Sequence, residues 1–132
     1  MRGDDGMIKT FGLRHIQIKV KDVKRAFAFY AELLGFEEQF RDGDHTIFAS
    51  IPGGGDPLTL HQPASSEPLY GRDRGGLVHF GFALPEGADM DDAEQQVIAA
   101  GGTDLRRGEH EPGKPFLYFH DLDGYEVELW TP

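Results

Sequence analysis

The sequence predicts an α+β fold: two βαβββ modules forming a curved, partly closed mixed sheet around a cleft, with the helices on the outer face. Three observations predict it. Strand-like runs keep a period of two, each of two helix-like runs follows such a strand and stops at glycine, and the whole series is written twice.

The first element is LRHIQIKV (Leu13 to Val20), where Ile16, Ile18 and Val20 alternate with His15, Gln17 and Lys19, the pattern of a half-buried strand. Asp22 is placed to cap a helix from about Val23 to Leu34. Phe27, Tyr30, Leu33 and Leu34 recur there at helical spacing, and Gly35 provides the stop. FEEQFRD, HTIFASIP and PLTLHQ then read as three antiparallel strands parted by turns at Gly43 and at Gly53 to Pro57. Pro63 to Gly76 is polar, without apolar period, and reads as a connection. The pattern restarts in GLVHFGFAL, with Val78, Phe80, Phe82 and Leu84 alternating with His79, Gly81 and Ala83. Asp89 or Asp91 can cap a second helix through Ala100, with Ala93, Val97, Ile98 and Ala99 as its expected inner side, before Gly101 and Gly102 end it. TDLRRGE, PFLYFHD and YEVELWT close the series as three more strands. Module one therefore spans about 12–62, the linker 63–76 and module two 77–131, all within a single domain.

Composition narrows the function. Thirteen basic against 23 acidic residues give a formal net charge of −10, with the basic ones scattered, so nucleic acid is not an expected partner. No apolar run approaches the ~20 residues of a membrane span, and MRGDDG at the start lacks the apolar core of a signal peptide, so a cytoplasmic protein without membrane partners is expected. With no cysteine, disulfides and thiolate metal sites are excluded, and any metal must be held by nitrogen and oxygen.

The six histidines are thus the first place to look. Overlaying the two copies sets His15 on His79 at an offset of 79 − 15 = 64, and DPLTLHQ on GYEVELW sets His61 on Glu128 at 128 − 61 = 67. The apolar face of each opening strand must meet its own helix, so His15, Gln17 and His79 look into the concavity. Thr59 and His61 share a face, as do Glu126, Glu128 and Trp130. A lone strand histidine is more often a satisfied or solvent-facing residue than a ligand; the repeat is what singles these out. Three imidazoles and a carboxylate suit Zn²⁺, Fe²⁺, Mn²⁺, Co²⁺ or Ni²⁺, and two histidines with one carboxylate suit non-haem Fe²⁺. Glu126 is the alternative to Glu128. His45, His110 and His120 have no counterpart in the overlay and are expected at the surface, in turns or behind the ligands.

HIQIKVKDVKRAFAFYAELLGF, GLVHFGFAL and HDLDGYEVELW together resemble the vicinal oxygen chelate superfamily of glyoxalases, extradiol dioxygenases, epimerases and fosfomycin and bleomycin resistance proteins, over nearly the whole chain. The resemblance implies His15, His79 and Glu128 as ligands of one divalent ion, and a small-molecule enzyme of the dioxygenase or glyoxalase-like lyase/isomerase type. It also implies a homodimer. His61 stands where glyoxalase I is known for glutamate, and is a candidate base, fourth ligand or supporting group. Trp130, Phe116 and Tyr118 are candidates to line the substrate cleft, and Arg72 and Arg74 to steer an anionic substrate. The rival class is a metal-free drug- or metabolite-binding protein of the bleomycin-resistance type.

Overall fold

The computed structural model describes residues 7–11, 13–54, 57–64 and 77–132. The elements run β1 (Ile16–Lys19), α1 (Val23–Leu34), β2 (Glu37–Asp42), β3 (Thr46–Ser50), β4 (Leu58–His61), β5 (Phe80–Ala83), α2 (Met90–Ala100), β6 (Thr103–Glu111), β7 (Lys114–His120) and β8 (Glu126–Trp130). They build two four-stranded sheets of identical topology, β1-β4-β3-β2 and β5-β8-β7-β6. In each the opening strand pairs in parallel with the last, and the remaining pairs are antiparallel. The two βαβββ modules thus form the curved, partly closed mixed sheet expected.

The helices begin and end for the reasons legible in their sequence. Asp22 accepts hydrogen bonds from the N–H groups of Lys24 and Arg25, and Asp89 from those of Asp91 and Asp92, satisfying donors that an α-helix leaves unpaired at its start. Gly35 and Gly101 end them in the left-handed conformation, at φ 79° and 104°. The inner side of α2 differs from expectation. Met90 and Val97 are buried with Ala93 and Ala100 packed against the core, whereas Ile98 is 52% exposed and Ala99 lies in solvent. The steps 90, 93, 97 and 100 follow the 3.6-residue period, which an adjacent run 97, 98, 99 cannot.

One core serves both modules. Phe29 and Tyr30 of α1 meet Phe119 of β7 and Phe36, respectively, with ring centroids 6.3 and 6.0 Å apart. A polar clasp reinforces this. The Tyr30 hydroxyl donates to Asp121 Oδ2 at 2.5 Å, while Asp121 Oδ1 accepts the N–H groups of Asp123 and Tyr125. The Tyr125 hydroxyl donates to the Lys19 carbonyl at 2.9 Å, and Lys21 N–H donates to Asp123 at 2.8 Å. The 121–125 turn before β8 therefore grips the end of β1 and the flank of α1. Burial pushes the Asp121 carboxyl up to about 6, against the opposing pull of these hydrogen bonds.

Strand register corrects the overlay of the two copies. Gln17 faces Thr59 across β1 and β4, and Gly81 faces Glu128 across β5 and β8. Likewise Lys19 faces His61, and Ala83 faces Trp130. The counterpart of Glu128 is therefore Thr59, at 128 − 59 = 69, and that of His61 is Trp130, at 130 − 61 = 69. A slip of two residues keeps every side chain on its own face, so alternation alone cannot detect it.

Candidate metal centre

His15 and His79 each stand one residue before the strand that opens their module. Both line a single open cavity of about 780 Å³, together with Gly81, Ala83 and Trp130 on the β5–β8 side and apolar residues such as Ile16 and Leu58 on the other. Gly81 has a steric duty here. A Cβ on it would stand 2.9 Å from the Glu128 carbonyl oxygen and 3.3 Å from the Trp130 ring, so only glycine leaves this part of the concave face open.

Glu128 is the buried carboxylate of the site, at 7% exposure. Its Oε1 lies 3.4 Å from His79 Nε2, and its Oε2 accepts a 2.5 Å hydrogen bond from His110 Nε2. His79 Nδ1 is buried without a hydrogen-bond partner among the described residues, 3.9 Å from Glu126. The half-buried imidazole of His79, with Nε2 beside the Glu128 carboxylate, pairs a nitrogen with an oxygen donor, a combination suited to a borderline divalent cation. Tyr118 packs edge-on against His79 at 5.0 Å, and burial, followed by the charge of Glu128, pushes its phenol upward. Arg106 pairs with Glu126 and lies 5.3 Å over the Tyr118 ring.

The first module carries a reduced version of this arrangement. His15 Nδ1 is 3.2 Å from Thr59 Oγ1, and its ring stacks on Phe48 at 6.0 Å. Phe48 faces Thr59 across the ladder as Tyr118 faces Glu128. His61 is half-buried with Nδ1 2.8 Å from Thr46 Oγ1, and it does not line the cavity. Among the described residues no three ligating side chains already stand close enough together to hold an ion. Trp130 lines the cavity; Phe116 and Tyr118 continue the aromatic row behind it, with ring centroids 5.1 Å apart. Arg72 and Arg74 lie outside the described residues.

The sequence leaves His110 open between the surface, a turn and a place behind the ligands, and assigns it no contact. Its aim is set by an irregularity in the β6–β7 ladder between Glu109 and Glu111, which period-two reading does not reveal. Glu126, noted only as an alternative to Glu128, instead gathers Arg106, His79 and His120.

Comparison with known proteins agrees with this architecture. An ethylmalonyl-CoA/methylmalonyl-CoA epimerase of Cereibacter sphaeroides is 30% identical over 131 residues, covering 89% of this chain and 95% of that protein. A catechol-2,3-dioxygenase of Bacillus subtilis is 25% identical over 117 residues; the match covers 89% of this chain and only 40% of the dioxygenase. Among solved structures, a glyoxylase/bleomycin resistance protein/dioxygenase domain from Frankia sp. EAN1pec superposes with a TM-score of 0.72 at 29% identity, covering 93% of this chain and 98% of that one. Residues 12–129 match the model of one family, and the chain belongs to it: the Glyoxalase/Bleomycin resistance protein/Dioxygenase superfamily.

Proposed function

We propose that the chain is a divalent-metal-dependent enzyme acting on a small organic substrate, of the glyoxalase/dioxygenase type, with His15, His79 and Glu128 holding the ion. The observation that carries this is the pair of two-fold-related histidines lining one cavity, with a buried carboxylate against the second of them. The epimerase and dioxygenase relatives support an enzyme of this class. Held by His15, His79 and Glu128, a bound divalent ion would supply a Lewis acid that stabilises negative charge developing on substrate oxygen.

The protein's own groups would do the rest. Apolar walls and Trp130 hold the organic body of the substrate and exclude water. The Tyr118 phenol, pushed upward, keeps its proton at neutral pH and is available to donate it toward Glu128 or a nearby substrate oxygen. Thr59 supplies a hydroxyl where module two has a carboxylate, so the cleft has no carboxylate base at the two-fold position of Glu128. That favours a three-ligand dioxygenase-like centre over proton abstraction by paired carboxylates. His61 shares a face of β4 with Thr59 but lies outside the cavity lining, so it fits a supporting group better than a base acting on substrate. Exposed Leu13 and Leu77 at the cavity, with Met7, Ile8, Phe11 and Val78 nearby in sequence, suit a homodimer.

The test is elemental analysis of protein purified without added metal. A stoichiometric ion that is lost in His15→Ala and Glu128→Gln supports the reading. Oxygen consumption on catechol-like compounds with Fe²⁺ then selects the dioxygenase branch; Mn²⁺, Co²⁺, Zn²⁺ or Ni²⁺ with activity on thiohemiacetals selects the lyase branch. The large apolar cavity also suits metal-free capture of a drug or metabolite, and unchanged ligand affinity in metal-stripped protein and both variants would establish that reading instead.

A further inference from the structure

We infer that His110 is a positioning residue for the metal-holding carboxylate: it takes one oxygen of Glu128 and leaves the other, on the His79 side, for the ion. The inference rests on the reading of Glu128 as a ligand, and four observations carry it. The two oxygens of Glu128 are already divided, Oε2 to His110 Nε2 at 2.5 Å and Oε1 facing His79 Nε2 at 3.4 Å. A carboxylate with both oxygens free can rotate or bind an ion through both; one tied by a short N–H···O bond presents a single oxygen in a fixed direction.

The histidine is itself held in place. Its ring packs on Phe116 at 4.6 Å with the planes inclined by 37°. Phe116 in turn lies against Gly108, where a Cβ would fall 2.5 Å from the ring's Cζ atom. Glycine at 108 is thus needed for the aromatic ring to lie on the sheet. The ladder irregularity between Glu109 and Glu111 is at His110 itself, and such irregularities re-aim side chains. Gly108, Phe116, His110 and Glu128 therefore form a continuous physical chain ending at the proposed ion. The first module offers nothing similar, because Thr59 has no second oxygen to restrain.

The experiment measures Mn²⁺ and Co²⁺ affinity calorimetrically for the full chain and for His110→Ala, His110→Gln and Gly108→Val, with the visible spectrum of the Co²⁺ form recorded alongside. His110→Ala is expected to weaken binding roughly 10- to 100-fold, as loss of an outer hydrogen bond to a ligand does, and to shift the Co²⁺ spectrum as the carboxylate changes its mode of binding. His110→Gln, whose side-chain amide can donate to the same oxygen, should recover most of the affinity. Gly108→Val should weaken binding in the same direction by displacing Phe116. Unchanged affinity and spectrum in His110→Ala, with tight binding to the unaltered chain, overturns this inference alone. Failure of the unaltered chain to bind either ion overturns the metal-dependent reading and this inference with it. Circular dichroism of each variant separates loss of the site from loss of the fold.

Discussion

The two modules share a scaffold but differ in what they place on it. Module one sets His15 against Thr59 and Phe48, whereas module two sets His79 against Glu128 and Tyr118 at the matching register positions. Opposite that acceptor on the opening strand, module one has Gln17 and module two has Gly81. Duplication therefore supplied the geometry twice, while substitution gave one copy the charge and the open space. Under the proposed reading, the ion would sit on the module-two side, beside Glu128 and His79, with His15 reaching it from across the cavity.

The largest effect should come from exchanging what differs. Glu128→Ala is expected to abolish stoichiometric metal binding, whereas Thr59→Val removes only the hydroxyl beside His15 Nδ1 and should weaken binding about tenfold, within the range for groups that orient a ligand. Calorimetric titration of both variants measures the contrast. Equal losses would mean that the carboxylate has no privileged place and that the asymmetry between modules is idle.

How much of this the sequence carried follows from which physical signal each feature leaves. The boundaries of α1 were legible because Asp22 and Gly35 act through their own chemistry at the ends of the helix. The faces of β4 and β8 were legible because alternation reports them. Register was not, so overlaying DPLTLHQ on GYEVELW at a near-equal offset set His61 on Glu128, although Thr59 is the counterpart of Glu128. His110 was illegible for a related reason: its contact depends on an irregularity and on a ring lying over Gly108, and neither leaves a periodic trace. HDLDGYE, the segment most specific in the resemblance, contains the clasp between modules as well as the approach to Glu128.

That clasp gives the next effect. Asp121 sits at about 6 in the folded chain, chiefly through burial, against ~3.9 in an unfolded one. Between these values the folded state holds more protons than the unfolded state, so this group's contribution is complete below about pH 4 and is lost as pH rises through about 6. The difference of about 2 units corresponds to roughly 3 kcal/mol. Asp121→Asn keeps an acceptor for the two backbone N–H groups without titrating, and should leave stability unchanged at pH 4 while raising it by up to ~3 kcal/mol at pH 7. Urea unfolding at the two values tests this. Parallel behaviour of variant and parent would remove the clasp as a source of pH dependence.

A smaller contrast separates Gly81 from Gln17. Valine at 81 would meet the Glu128 carbonyl and the Trp130 ring, at a cost of about 1–3 kcal/mol with loss of ligand affinity. Valine at exposed position 17, its register counterpart, should stay within ~0.5 kcal/mol. Thermal melts with and without metal compare the pair. If both substitutions are tolerated alike, the opening at Gly81 has no role in the site.

The smallest difference lies at the two helix starts, where the modules use the same device in opposite electrostatic settings. Asp22 and Asp89 each accept two backbone N–H groups, and removing such a cap costs ~0.5–2 kcal/mol. The first turn of α1 has no acidic residue and includes Lys24 and Arg25, which attract the cap's carboxylate. The first turn of α2 carries Asp91 and Asp92, which suit the helix dipole but repel a third carboxylate at Asp89. Asp22→Ala should therefore cost more than Asp89→Ala, by roughly 0.5 kcal/mol at low salt, with the gap narrowing as added salt screens both interactions. Denaturant midpoints for the two variants at low and high salt measure it. A gap that persists unchanged in 1 M salt would point to packing around the cap, where Gln62 already binds the Val23 N–H, as its origin.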